Sequence, residues 1–255
     1  MPQFASYPSL AGRSVFVSGG GSGIGASIVE HFAEQGAKVG FVDIDEAVSM
    51  ALVDRIKAAG YPAPLFAKAD VRDLPAYQAT IDGMAGKLGA FKVLVNNAAR
   101  DDRHTIDQVT PTFWDERIAV NLRHQYFAIQ SVVPGMRKAG GGSIINFSSV
   151  SYHAMTPQLS VYQAAKAAVI GMTRGLARDL GPDNIRLNSL TPGWIMTQRQ
   201  IDLWLTPEAE AALMVAQCLK EKVYPPDIAR MALWLAADDS RMVTAQNFVV
   251  DGGRM

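Results

Sequence analysis

Residues 149–166 of this 255-residue chain read SVSYHAMTPQLSVYQAAK and bring a hydroxyl, a phenol and an ammonium into one short stretch. Tyr162 and Lys166 are four residues apart, so on a helix their side chains share a face. A neighbouring cation favours the charged form of an acid, so this spacing predicts that Lys166 lowers the pKa of Tyr162 and brings a tyrosinate base within reach of working pH. Ser149 ends the apolar run Ile144-Ile145-Asn146-Phe147, where a buried strand runs out. Strand ends in open α/β sheets are where ligands bind.

A second stretch offers phosphate chemistry. Ser14-Val15-Phe16-Val17 is a short β-branched and aromatic run that leads directly into Ser18-Gly19-Gly20-Gly21-Ser22-Gly23-Ile24-Gly25 and then into an amphipathic helical pattern. A glycine-rich turn between a strand and a helix can hold a pyrophosphate on its free N–H groups and on the helix dipole. Asp43 lies 20 residues beyond Gly23 and ends the next strand, where a carboxylate can accept from adenosine ribose hydroxyls. A carboxylate there repels a 2′-phosphate. No Arg or Lys stands in the loop or within two residues after Asp43, so NAD is favoured over NADP. The competing reading of Asp43 is a helix cap.

The elements that must position these groups alternate along the chain. Strands are expected at 14–17, 38–42, 64–69, 92–95, 143–147, 185–190 and 247–250. Helices follow the glycine turn and are expected at about 46–60, 75–88, 111–138, 161–180, 207–220 and 226–237. Seven short apolar strands separated by helices imply an α/β fold: one Rossmann-like, doubly wound parallel sheet with helices on both faces. The whole of 1–255 reads as a single domain, its cofactor half at about 12–100 and its catalytic and substrate half at about 101–255. Gly140-Gly141-Gly142 reads as a helix stop.

Composition narrows the function classes. The formal net charge is zero and no block of like charges occurs, so no nucleic-acid surface is expected. The leader MPQFASYPSLAGR lacks a basic start and a continuous apolar stretch, and no run is long enough to span a bilayer, so a cytoplasmic protein without membrane association is expected. The single cysteine, Cys218, excludes an internal disulfide and reads as a small apolar residue in a helix. Asp101-Asp102-Arg103-His104 lacks a second cluster at ligand spacing, and is read as an intramolecular charge network or loop anchor, with no metal site.

Taken together, the glycine loop, Asn96-Asn97-Ala98-Ala99, Asn121 and Tyr162-x3-Lys166 resemble the short-chain dehydrogenase/reductase family over essentially the whole chain. The family's Gly-x3-Gly-x-Gly pattern matches Gly19, Gly23 and Gly25, with Ser18 in place of the usual threonine. Its catalytic serine, thirteen residues before the tyrosine, matches Ser149 and not Ser148. The resemblance implies a catalytic set of Asn121, Ser149, Tyr162 and Lys166, with Asn121 supporting a proton relay. Asn96 resembles the residue ending the fourth strand beside the cofactor, and Ala99 departs from a usual glycine. The implied cofactor set is Gly19, Ser22, Gly23, Ile24 and Gly25, then Asp43 and Ile44, Asp70 and Val71, and Asn97 and Ala98. Tyr162 and Lys166 join it, with Pro192, Gly193, Ile195 and Thr197 at the nicotinamide end.

Within that family the chain is similar to bacterial aldose 1-dehydrogenases, particularly the D-xylose kind. The residues that carry this are Tyr7-Pro8-Ser9-Leu10, Asp101-Asp102-Arg103-His104, Trp114-Asp115-Glu116-Arg117-Ile118, Asn121-Leu122-Arg123-His124 and Ala216-Gln217-Cys218-Leu219-Lys220. The resemblance implies oxidation of a cyclic aldose at C1 to an aldonolactone, with Tyr162 as general base. Ser149, Ser151, His153, Gln158, Tyr162, Trp194 and Arg100 are the pocket candidates. The rival enzyme reading is a dehydrogenase or reductase of another alcohol or ketone, such as a 3-oxoacyl reductase. A non-catalytic dinucleotide sensor is a third reading, opposed by the intact Ser149, Tyr162 and Lys166. Relatives commonly pair long apolar helices, so 111–138 and 161–180 suggest a homotetramer. From the carboxylate at Asp43, kcat/KM should be higher with NAD than with NADP, and the reverse ranking in steady-state kinetics would refute that reading.

Overall fold

Short apolar runs with branched side chains become the central strands here because both of their faces can be buried. The computed structural model describes residues 4–255; the first three residues of the leader lie outside them. Its strands are β1 (Ser14–Ser18), β2 (Lys38–Asp43), β3 (Leu65–Lys68), β4 (Val93–Asn96), β5 (Gly142–Phe147), β6 (Ile185–Pro192) and β7 (Asn247–Val250). They form one sheet in the order β3-β2-β1-β4-β5-β6-β7, and every adjacent pair is parallel. The chain builds outward from β1 in one direction, then returns to lay β4 on its other side. That reversal opens a crevice at the C-terminal ends of β1 and β4.

The helices are α1 (Gly23–Glu34), α2 (Glu46–Ala58), α3 (Leu74–Leu88), α4 (Pro111–Ile118), α5 (His124–Lys138), α6 (Ser160–Leu180), α7 (Gln198–Trp204), α8 (Pro207–Ala216) and α9 (Pro225–Ala236). Successive strand residues point to opposite faces. Val15, Val17, Val39 and Phe41 pack with Ile28 and Phe32 of α1, Leu52 of α2 and Ile228 and Leu233 of α9. Phe16, Val42, Leu94 and Ile144 pack on the other side with Tyr77 and Ile81 of α3, Ile129 and Val133 of α5 and Ala177 of α6. Two apolar layers on one sheet make the doubly wound architecture expected from the sequence.

Three departures have local causes. The helix expected at 111–138 is broken by a π-helical turn, Ala119–Arg123, into α4 and α5. Its residue Asn121 is buried and spends its amide on the β4 loop: Oδ1 accepts from Arg100 N–H (2.9 Å), and Nδ2 donates to Arg100 O (3.0 Å) and Arg117 O (2.9 Å). The helix expected at 207–220 ends at Ala216, because Cys218 N–H and Leu219 N–H bond to Gly253 O and Gly252 O of the C-terminal tail. Cys218 is therefore exposed and outside a helix, a correction to its expected place. The short helix α7 lies where no helix was expected. Gly140 and Gly141, at φ +77° and +128°, stop α5 and turn the chain into β5.

One polar network crosses the sheet interior. Asn96 Nδ2 donates to Asn146 Oδ1 (2.9 Å) and Asn146 Nδ2 donates to Thr173 Oγ1 (3.0 Å), all three residues being fully buried. Asn96 ends β4, as expected, and its buried side chain locks β4 to β5. Replacing one partner strands buried polar groups. Asn146→Ala should lower the unfolding free energy in urea by about 2–4 kcal/mol.

Candidate active site

The end of β5 and the second turn of α6 are held together by reciprocal bonds. Lys166 Nζ donates to Phe147 O (2.8 Å), and Ser148 Oγ donates to Lys166 O (2.7 Å). Both serines line one cavity with Tyr162 and Lys166, but the buried Ser148 hydroxyl is committed to Lys166 O, whereas Ser149 is half-buried. Ser149 Oγ also accepts from Ser151 N–H (3.2 Å), capping the single helical turn at Val150–Tyr152. The start of α6 has no cap of its own. His104 serves from a distance: its Nε2 accepts from Val161 N–H (3.3 Å) and lies 3.1 Å from Ser160 Oγ, while Nδ1 faces Asp102 O at 3.0 Å.

The electrostatics differ from the expected pairing. Lys166 is 1% exposed, and burial pulls its ammonium from 10.5 down to about 7. Burial first, and the Asp101 carboxylate second, push the Tyr162 phenol well above its usual value; the Ser149 hydroxyl and the Arg103 guanidinium oppose them. Lys166 is not among the groups that shift Tyr162: its amine is committed to Phe147 O (2.8 Å) and lies 5.6 Å from the tyrosine ring centroid. Behind the β4 loop, His124 Nε2 faces Ala98 O at 3.1 Å, and burial drives this imidazole to about 3, so it is neutral.

The cavity measures about 400 Å³ and is floored by Phe147, Ser149, Tyr162 and Lys166. Of the expected pocket residues, Ser149, Ser151, Tyr162 and Trp194 line it. Arg100, His153 and Gln158 do not. Arg100 pairs with Asp102 (3.2 Å), and the exposed His153 ring packs on Tyr152 at 4.1 Å between centroids. Gln158 is exposed at φ +60°, with its carbonyl accepting from His104 N–H (2.9 Å). Gln163 Nε2, bonded to Ser151 O (2.9 Å) and Thr156 O (2.7 Å), sets which way this loop faces and turns Thr156 and Leu159 to the cavity instead.

Further lining residues come from segments the sequence reading left out of the pocket: Asp101 and Arg103 from the β4 loop, Gln200 and Trp204 from α7, and Arg254 from the tail. Asp101-Asp102-Arg103-His104 is an anchor of ion pairs and hydrogen bonds. Asp102 pairs with the buried Arg117, Asp101 with Arg199 (3.2 Å), and Arg103 donates to Pro157 O (3.2 Å) and lies over the Trp204 ring at 4.8 Å. The buried Gln217 amide, donating to Leu219 O (3.0 Å) and Glu221 O (2.8 Å), helps hold the bend against which the tail carrying Arg254 is bonded.

At the other end of the crevice the glycine turn is tightly packed. A Cβ on Gly25 would sit 1.8 Å from Gly19 O, and one on Gly19 would sit 2.8 Å from Ala98 Cα. Ser18 Oγ accepts from Asn97 N–H (3.1 Å) and Ala98 N–H (3.2 Å), and Asn97 Nδ2 donates to Gly19 O (2.9 Å). Ser22 makes no side-chain cap on α1, leaving that helix N-terminus open to an anion. Asp43 Oδ2 accepts from Gly21 N–H (2.8 Å). The cap of α2 is Asp45, so Asp43 is free of that role. Ile24, Asn97, Pro192, Gly193, Ile195 and Thr197 reach the cavity, while Ile44, Asp70 and Val71 lie at the ends of β2 and β3. Asp70 is held below the usual carboxylate range, chiefly by its hydrogen bonds from Arg72. These features fit a dinucleotide.

Lys166 titrates near 7 when folded and near 10.5 when unfolded, so between those values the unfolded chain binds more protons and stability rises with pH. The burial penalty is at its full size below pH 7. Lys166→Met removes the titration, so its Tm advantage over the wild type should be largest near pH 6 and shrink toward pH 10. A pH-independent difference would contradict the burial account.

A family model described as enoyl-(acyl carrier protein) reductase matches residues 19–254. The chain is 49% identical over 249 residues to the "Probable galactose dehydrogenase" of Rhizobium meliloti (strain 1021), covering 98% of this chain and 97% of that protein. It is 47% identical to the D-xylose 1-dehydrogenase of Caulobacter vibrioides, covering 98% of each. Among solved structures, a 3-oxoacyl-[acyl-carrier protein] reductase from Brucella melitensis with bound NAD superimposes with a TM-score of 0.89 at 31% identity, covering 100% of this chain and 98% of that one. The chain belongs to the short-chain dehydrogenase/reductase family of oxidoreductases.

Proposed function

We propose that the protein oxidises a cyclic aldose at C1 with NAD, giving the aldonolactone, NADH and a proton. The observation that carries this reading is the lining of the cavity beside Tyr162. It combines two flat indoles, Trp194 and Trp204, with Asp101, Arg103, Gln200 and Arg254. Aromatic faces suit the C–H faces of a sugar ring, and the polar groups suit its hydroxyls better than they suit an acyl chain. The names carried by the two sugar dehydrogenases support the same substrate class.

NAD would be held by the N–H groups of Ser22, Gly23, Ile24 and Gly25 at the open end of α1, with Asp43 accepting from the adenosine ribose. Lys68, opposite Asp43 in the β2–β3 register, is already engaged by Glu46 (3.7 Å), which disfavours a 2′-phosphate. When bound, NAD supplies the hydride acceptor and the positive charge of its nicotinamide ring. Ser149 hydrogen-bonds the anomeric oxygen, and Tyr162 takes its proton. A phenol pushed up by burial ionises only with help from opposite charge; the positive nicotinamide would supply it, and Lys166, held by Phe147 O, would add to it in its protonated form. Asn121 braces the β4 loop that carries Asp101 and Arg103. Assembly as a homotetramer is supported by the outer face of α6, where Ala164, Ala167, Ala168, Gly171 and Gly175 are exposed.

An NADH-formation screen over pentoses, hexoses and deoxyhexoses should show turnover of aldoses. Tyr162→Phe should bind NAD normally while losing about 10²- to 10⁴-fold in kcat, and a variant that keeps most of its kcat would sink the mechanism.

A further inference from the structure

Three walls of the cavity meet in one side chain. Gln200, on α7, accepts from Trp194 Nε1–H through Oε1 (2.9 Å) and donates from Nε2 to Asp101 Oδ2 (2.9 Å). Its orientation is fixed by chemistry: the indole can only donate, and an ionised carboxylate can only accept, so the amide cannot be turned over without breaking both bonds. Thr197 Oγ1 accepts from Gln200 N–H (3.3 Å) and anchors the start of α7, while Arg199 NH2 takes the other oxygen of Asp101 (3.2 Å). Trp194, Gln200 and Asp101 all line the cavity.

We propose that Gln200 is a positioning residue for the sugar: it clasps Trp194 to Asp101 and so sets the distance between the flat apolar face on which the ring rests and the carboxylate that receives its hydroxyls. This rests on the aldose reading of the same site. Asp101 has lone pairs beyond the two taken by Arg199 and Gln200, and its side chain is 21% exposed, so it can accept from a polyol while staying fixed. The clasp also ties α7 to the β4 loop. Trp194 follows β6, Asp101 follows β4 and Gln200 belongs to neither strand, so nothing in the sheet register alone sets their separation.

Two variants separate the halves of the clasp. Gln200→Met removes both bonds at similar length; the KM for the aldose should rise about tenfold, with kcat falling no more than threefold and the KM for NAD unchanged. Gln200→Glu keeps an acceptor for Trp194 but places a second carboxylate against Asp101. The pair can share a proton in acid but not in base, so its aldose KM should approach that of the wild type near pH 5 and rise toward pH 8. A purely structural role would give a pH-independent defect in kcat and KM together. The clasp itself is read without substrate from the Trp194 indole N–H in ¹⁵N-tryptophan NMR, assigned with Trp194→Phe: protected from solvent exchange in the wild type and exposed in Gln200→Met. An unchanged indole exchange rate, or an aldose KM within twofold of the wild type in Gln200→Met, would overturn the proposal. If the indole result holds but the wild type oxidises no aldose, the substrate reading and the sugar role fall together and only the clasp stands.

Discussion

The site depends on a buried amine. Lys166 is removed from water with a single carbonyl, Phe147 O, as its hydrogen-bond partner, and Ser148 returns a bond to the Lys166 backbone. Burying a charge this way is costly, and the ammonium responds by losing much of its affinity for the proton. In exchange the strand end and the helix are locked in register, so Ser149 and Tyr162 face the same space. The loop between them and the remote cap that His104 gives to α6 refine that placement.

The crevice therefore has two differently built ends. At the dinucleotide end the requirement is backbone proximity: glycines where a Cβ would collide, an uncapped helix and a carboxylate already aligned by Gly21. At the substrate end the requirement is a set of polar side chains held apart from one another. Ion pairs and amide bonds supply it, from Arg117 through Asp102 to Arg199, Asp101 and Gln200. Surface ion pairs are individually weak, but Arg117 is nearly buried and the network is continuous, which favours a defined geometry.

Legibility in the sequence follows the range of the forces involved. Strands buried on both faces leave runs such as Ser14-Val15-Phe16-Val17, and the four-residue spacing of Tyr162 and Lys166 survives any tertiary detail, so the sheet and the shared helix face are readable. The π-helical turn at Asn121 is not, because its side-chain bonds to Arg100 depend on a loop twenty-one residues away. Arg100, His153 and Gln158 have the right chemistry for a sugar pocket but face elsewhere, since Asp102, Tyr152 and the backbone bond from His104 decide their direction. The same limit hid Gln200 and Trp204, whose helix has no strong periodic pattern. The direction of the Tyr162 shift was also beyond reach, because spacing reports neighbours and not burial.

In the proposed reaction the two ends are joined by a hydride that passes from sugar C1 to NAD. The most direct measurement is label transfer from D-xylose or D-galactose deuterated at C1, with NAD present and the products followed by mass spectrometry and NMR. Deuterium should appear on the reduced nicotinamide, leaving an unlabelled C1 in the lactone. Reduced cofactor without label, formed from a sugar that keeps its deuterium, would contradict oxidation at C1.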